Sequence, residues 1–337
     1  MITTCVYFVL YILLITLVNA DDALFGKNSN SIAQSFVVNR TDKVLSLLQQ
    51  GSQASGIIYF DQNQWGGFAN VFQGLRTAAL LALVTGMRLK INWMSYFDLM
   101  DDKIHPLKAG GFIESMRCPL LSRVDSLYIR KDICQRVLFT EDDIQKILLK
   151  SENRQRLVSL GLFESLPTDI DVRKLLTYTF FVPKSNLASY SKEFVRNLHK
   201  YPSIGVQIRT GGSLASDNED NVFFSPSTMY RVIDMINKVV TENYIFNYNL
   251  FVSTDSQEVL TELKSIFPQL IHTSDDFKIG HTSNLRSSDG SNHGQRALID
   301  LMILSSCDYL IYTEDSSYGR LASVLSHSEK TYYVSHK

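Results

Sequence analysis

The sequence predicts an α/β fold assembled from strand–loop–helix units. Three observations predict it. Ile204–Gly212 reads Ile-Gly-Val-Gln-Ile-Arg-Thr-Gly-Gly. Ile204, Val206 and Ile208 alternate with Gly205, Gln207 and Arg209, the period of a strand, and a glycine turn follows at once. Earlier, Gly56–Phe60, Asp61–Asn70, Val71–Thr85 and Met87–Trp93 read as strand, glycine loop, helix and strand, a βαβ unit. After Pro202, strand, polar loop and helix recur three times, with strands at Ile204, Asn249 and Tyr309. A chain of 337 residues suggests two domains of roughly 150 residues each. We place them at 51–200 and 201–337.

Composition bounds the function. With 45% hydrophobic and 20% charged residues and a net charge of −1, the chain reads as globular. No run of Lys or Arg offers a nucleic-acid backbone a basic patch.

The N-terminus addresses the chain to the secretory pathway. Cys5–Val18 is almost wholly apolar and too short for a typical membrane span. Val18-Asn19-Ala20 ends it with small residues at the cleavage positions, so 1–20 reads as a signal peptide. It lacks a basic n-region, and the alternative is a short uncleaved anchor. Both readings place the chain in the lumen of the endoplasmic reticulum or Golgi, or outside the cell. Membrane contact is expected only through this segment.

Residues 21–50 read as a stem, flexible over Asp21–Asn39 and with a short helix over Thr41–Gln50. Asn39-Arg40-Thr41 is an N-glycosylation sequon, which makes Asn39 a glycosylation candidate. Of the four cysteines, Cys5 lies in the leader. Cys118 and Cys134 flank one segment and are a disulfide candidate in an oxidising lumen. Cys307 reads as a buried thiol. No Cys/His spacing fits zinc, and no metal is expected.

Each element has its own warrant. In the βαβ unit, Val71, Leu75, Ala78, Ala79, Ala82 and Leu83 recur at helical spacing, and Gly86 is a C-terminal stop. Asn70 is a candidate cap. Gly66, Gly67 and Gly74 do not form the dinucleotide fingerprint, and no lysine makes a P-loop. Ser95–Ser191 is less legible, with helices at Thr140–Leu149 and Leu175–Phe181. Tyr190–His199 is helical and leads into the Ile204 strand. Ser213–Asn221 is a polar loop whose Asp217, Glu219 and Asp220 read as a solvated acidic cluster. Ser227–Val240 is a helix, and Asn249–Ser253 a strand. Asp255 and Glu258 suggest a capping box for the helix Gln257–Ile266. A short strand at Leu270–Thr273, a polar loop at Ser274–His293, a helix at Gln295–Ser306 and the Tyr309–Thr313 strand follow. Glu314–Gly319 turns into a helix over Arg320–Ser326, and Tyr332–Val334 is the last strand.

Polar residues gather at the carboxyl ends of the strands, where open α/β sheets bind ligands. Arg209 suits an anion. Asp255 is either a cap or a fixed acceptor for guanine N–H groups. Ser316 and Ser317 are either caps or phosphate donors at a helix N-terminus. Together they describe a crevice for a nucleoside diphosphate.

These residues resemble the metal-independent GDP-fucose fucosyltransferases that include the plant xyloglucan, α1,6-, nodulation and protein O-fucosyltransferases. Gly66-Gly67-Phe68-Ala69-Asn70 looks like the family's first glycine loop, and Ile204–Arg209 like its central basic motif. Arg296–Ala322, with Asp300, Asp308, Ser316, Ser317, Tyr318 and Gly319, looks like its C-terminal motif. The resemblance implies a GT-B-like architecture, two Rossmann-like domains facing a cleft, with 51–200 toward the acceptor and 201–337 holding GDP-fucose. It implies inverting transfer of fucose to a glycan or protein hydroxyl without a cofactor.

By position, Arg209 pairs with the β-phosphate, Ser316 and Ser317 hydrogen-bond the phosphates, Asp255 reads guanine, Gly67 and Asn70 border sugar and acceptor, and Gly66, Gln207 and Tyr318 are further candidates for binding the nucleotide sugar. Two positions depart from the pattern. Gln207 stands where many relatives carry His, and Thr210 where they carry a second basic residue. The catalytic base is open, with Asp61 and Glu314 as candidates on position. The alternatives are an inactive relative that binds a glycan or partner, and a GT-B transferase for another nucleotide sugar.

Overall fold

The structure is a computed structural model. It describes residues 31–51, 56–61, 67–110, 118, 120–121, 134–137, 143–211, 225–273, 276–277, 279, 290–326 and 328–335. The leader, Gly66, Gly212 and the acidic loop with Asp217, Glu219 and Asp220 lie outside the described residues.

The chain begins with α1 (Ser31–Gln50), longer than the helix expected within a stem. Val44, Leu45 and Leu48 sit on one stripe and are buried, which ties this helix to the body rather than to a linker. Asn39 of the sequon is exposed on it.

The first sheet follows: β1 (Ile57–Asp61), β2 (Arg88–Asn92), β3 (Leu120–Leu121) and β4 (Gln135–Val137), ordered β2-β1-β4-β3 and parallel throughout. α2 (Phe68–Thr85) crosses from β1 to β2. It is 83% buried, so its length and apolarity serve a protein core. It starts three residues earlier than its apolar spacing suggests. Gly67, not Asn70, is its N-cap, and Asn70 lies in the first turn. Gly86 ends it at φ 74, a left-handed conformation that glycine adopts without a Cβ penalty.

Among its described residues, Ser95–Ser191 is mostly helical. α3 (Met94–Leu99), a 3₁₀ turn (Asp102–Leu107), α4 (Ile144–Leu148), α5 (Ser151–Ser159), α6 (Asp169–Phe180) and α7 (Ser185–Leu198) fill it. The helix expected over Thr140–Leu149 starts at Ile144, and a second helix follows after Lys150. α6 starts six residues before Leu175, because Thr168 and Asp171 form a capping box. Cys118 and Cys134 form a disulfide. With Tyr59 and Ala109 it makes a small separate core on this sheet.

The second sheet is β5 (Ser203–Ile208), β6 (Asn249–Thr254), β7 (Leu270–Ile271), β8 (Tyr309–Thr313) and β9 (Thr331–Val334). Its order is β7-β6-β5-β8-β9, all parallel. α8 (Pro226–Glu242), α9 (Gln257–Ile266), α10 (Gly290–Ser306) and α11 (Ser317–Leu325) connect the strands. α9 is capped by Ser256, whose hydroxyl accepts from Val259 N–H; the capping box expected from Asp255 and Glu258 does not form. β5 is buried at every residue. Ile204, Val206 and Ile208 join α8 and α9 in one core, as their alternation predicts. Gly205 lies on the other side against α10, where a Cβ would stand 2.8 Å from Cys307 Sγ. Cys307 is indeed a buried thiol, its pKa pushed up by burial.

The core beneath α10 and α11 is continuous with that of the first sheet. α11 packs on α2 and α6, and α10 on α7. The two parallel sheets therefore share apolar packing rather than standing apart.

Candidate functional site

The order of the second sheet marks the kind of crevice in which open α/β sheets bind ligands. From β5 the chain moves outward through β6 to β7, then α10 carries it back to β8 on the other side of β5. β5 and β8 are neighbours whose connections leave in opposite directions. That is a topological switch point, where helix N-termini diverge and leave a crevice. Arg209, Asp255 and Ser316 stand just beyond the ends of β5, β6 and β8, three adjacent strands.

Arg209 is held from both sides. Its N–H donates to Thr313 Oγ1 at 3.1 Å, and that hydroxyl donates to the Gln207 carbonyl at 3.3 Å, so the ends of β5 and β8 are stitched together. Its guanidinium pairs with Asp255. Thr210 N–H and Oγ1 each donate to Asp255 Oδ1 at 2.8 Å, and Gly211 N–H reaches Oδ2 at 3.5 Å. Gly211 has φ 60, which a residue with a Cβ adopts only under strain. Asp255 is buried, and both its oxygens are engaged by the β5 turn. It is neither the cap expected for α9 nor an acceptor left open for a base.

Gln207 is 4% exposed, and its Oε1 has no hydrogen-bond partner among the described residues. It sits beneath α11, where a Cβ on Gly319 would come within 2.6 Å of that oxygen. A buried amide oxygen left without a partner is costly, and a water or a ligand is a common way of satisfying one.

The turn between β8 and α11 is strained at Asp315, whose φ is 66. Asp315 pairs with Arg320 at 3.1 Å. Ser316 is the N-cap of α11 and accepts from Gly319 N–H at 3.1 Å, so the capping alternative is realised. Ser317 opens the helix, where backbone N–H groups have no intrahelical partner. Tyr318 turns inward and donates to the Ala297 carbonyl at 2.6 Å. Burial holds its phenol well above the usual range. Its hydroxyl contact is with α10.

A buried polar cluster supports these strand ends. Asp300 accepts from Ser253 Oγ at 2.7 Å and from Thr273 Oγ1, and lies 3.7 Å from Arg296 Nε. Arg296 Nη1 donates to the Phe277 carbonyl at 2.6 Å. Burial raises the Asp300 carboxyl, with Arg296, Ser253 and Thr273 opposing. Asp308 accepts from Ser203 N–H at 2.9 Å and Oγ at 2.8 Å, fixing the far end of β5. The sequence places Arg296 and Asp300 in the C-terminal motif but does not show their pairing. Sequence reading missed the roles of Thr210 and Thr313, because a threonine in or after an apolar strand signals nothing by itself.

The first sheet places Asp61 elsewhere. Asp61 is 1% exposed, accepts from Asn92 Nδ2 at 3.2 Å and pairs with Arg136 Nε at 3.6 Å. A base must reach an acceptor hydroxyl, and this carboxylate is paired between β2 and β4, which weighs against that role. Glu314 remains, half-buried beside Thr313. Gly67 and Asn70 stand at the N-terminal end of α2, the helix that packs against α11.

Comparison with known proteins bears on this geometry. Residues 177–332, which carry β5 to β9 apart from the last two residues, match a family model described as nodulation protein Z (NodZ). A comparison with curated protein sequences gives no match. Among solved structures, an Arabidopsis thaliana FUT1 mutant in complex with GDP is similar over 91% of this chain and 79% of its own, at 15% identity and TM-score 0.59. A NodZ α-1,6-fucosyltransferase soaked with GDP-fucose is similar over 81% of this chain and 93% of its own, at 18% identity and TM-score 0.49. POFUT1 in complex with GDP is similar over 84% and 99%, at 11% identity and TM-score 0.45. The resemblance read from three short motifs is thus met at two levels: the second half of the chain matches the NodZ family, and the chain has the α/β, GT-B-like fold of FUT1.

Proposed function

We propose that this chain is an inverting, metal-independent glycosyltransferase that moves fucose from GDP-fucose to a hydroxyl of a glycan or protein in the secretory pathway. The observation that carries the proposal is Arg209, fixed just beyond the central strand of a doubly wound sheet at its switch point. A preorganised guanidinium there meets the charge that develops on the leaving diphosphate. Ser316 and Ser317 at the N-terminus of α11 offer hydroxyl and N–H donors to the same phosphates. Gln207 lies beneath them with an oxygen to satisfy. In this reading 201–337 holds the donor. Residues 51–200, with Gly67 and Asn70 at the start of α2, face sugar and acceptor. Glu314 is the candidate base.

The lumenal setting belongs to the same proposal. It is supported by the apolar leader and by the Cys118–Cys134 disulfide, which suits an oxidising compartment. A second reading, GDP binding without transfer, is favoured by Thr210 at the place of a second basic residue.

The test is calorimetric titration of Asp21–Lys337 with GDP, UDP, GDP-fucose and NAD, with and without a chelator. GDP-selective, chelator-insensitive binding is expected, followed by release of GDP when an acceptor is added. Preference for UDP points to another donor, and GDP binding with no transfer to any acceptor points to the second reading. No nucleotide binding at all rejects both.

A further inference from the structure

We infer that Asp255 is a positioning residue: it holds Arg209 and the turn after β5 in the geometry that meets the donor diphosphate, and it does not read the base. The inference rests on the donor-site reading above and assigns a role within it. A carboxylate offers about four acceptor positions. Here Oδ1 takes Thr210 N–H and O–H, and Oδ2 takes the Arg209 guanidinium and Gly211 N–H. A guanine edge would have to displace one of these.

The donors come from three consecutive residues of the β5 turn, whereas Asp255 comes from the end of β6. The carboxylate therefore clamps one strand end to the next. It is itself anchored, because Ser256, the following residue, caps α9 and donates its N–H to Thr254 Oγ1 at 3.2 Å.

Thr210 completes the clamp. It is fully buried and gives Oδ1 two neutral hydrogen bonds. The Arg209 guanidinium pairs with Oδ2 through Nη1, and that contact orients its planar fork.

The experiment compares GDP with guanosine on the intact lumenal chain. In Asp255→Asn, GDP affinity is expected to fall by about tenfold or more, the scale of a lost charge-assisted contact. Guanosine affinity stays within about twofold, because the base contacts are untouched. Thr210→Val, which keeps the volume and the fold, gives a smaller GDP loss of the same kind and serves if Asp255→Asn fails to fold. In an Arg209→Ala background neither change weakens GDP further. Equal losses for guanosine and GDP, or full GDP affinity in both variants, overturn the role. A parent chain that binds no GDP rejects the donor-site reading itself, and the role with it.

Discussion

Both sheets place a carboxylate at a strand end and pair it with an arginine, yet the two pairs do different work. Asp61 is the last residue of β1, and its partner Arg136 lies within the neighbouring strand β4. The two strands enclose the pair, and Asp61 keeps only 1% of its surface. In the second sheet both partners stand beyond their strands, and the carboxylate is shared with the N–H groups of a glycine turn. The Arg209 and Arg136 side chains are equally exposed, at 14%, and it is the carboxylates that differ, 8% for Asp255 against 1% for Asp61. One residue of displacement along the strand separates a carboxylate paired between two strands from one paired with a turn beyond the ladder. Residue type is the same in both; position relative to the end of the ladder differs.

Substitution separates the two pairs. Asp61→Ala takes a buried carboxylate away from Arg136, whose side chain is 14% exposed, so the cost lies at or below the roughly 3–5 kcal/mol of a fully buried pair. Chemical denaturation should show that loss, while the folded fraction keeps its transfer rate. A variant as stable as the parent but inactive would return Asp61 to the chemistry. Arg209→Ala should do the reverse. Asp255 keeps its bonds from Thr210 and Gly211, so the fold persists, while transfer falls about 10²- to 10³-fold, as when one donor to developing charge is removed. Unchanged GDP affinity in that variant would remove Arg209 from the phosphate site, and collapse of folding would make it a structural pair like Asp61.

The same contrast shows what the sequence could reveal. Period-two alternation over Ile204–Ile208 gave β5 its inward face, and the strand–loop–helix repeat gave the second sheet. Gly86 marked a helix end because only a left-handed residue stops the chain there. Arg209, Asp255 and Ser316 were legible as strand-end polar groups, but their partners were not. Whether Asp255 caps α9 or binds the β5 turn depends on contacts 44 to 46 residues away. Local preference cannot rank those. The pairing of Asp61 was hidden for the same reason: nothing near it in sequence announces Arg136. The helices between Met94 and Leu198 were obscured by short lengths and by caps such as Thr168, which carry little apolar periodicity.

Two glycines sharpen the comparison at smaller scale. Gly319→Ala puts a Cβ 2.6 Å from Gln207 Oε1 and from Tyr312 Cδ2, and Gly205→Ala puts one 2.8 Å from Cys307 Sγ. Each overpacks a close helix–strand contact, at a cost of about 1–3 kcal/mol. Only the first lies under the N-terminus of α11. Both variants should melt earlier, and only Gly319→Ala should also raise the KM for the donor. Equal KM values in the two would take Gln207 and α11 out of the site.

The smallest effect tests burial itself. Asp171 on α6 has the same bonding pattern as Asp255: it accepts Thr168 N–H at 2.8 Å and Thr168 O–H at 2.6 Å. The difference is that it is exposed and its donors are three residues away. The Thr168 hydroxyl, then its N–H, lower the Asp171 carboxyl from its ordinary 3.8, against a small burial effect. A depressed folded pKa means that the stabilisation is present above the unfolded value and is lost as pH falls through the folded one. Screening at an exposed site limits the gain to about 1 kcal/mol or less. Asp171→Asn should therefore lower stability slightly at neutral pH, and the difference should vanish in acid once the pH has fallen below the depressed folded pKa. A difference that persists undiminished in acid would mean that the Thr168 bonds act through shape rather than charge. The contrast with Asp255 would then lie in which residues are tied together, not in how deeply the carboxylate is buried.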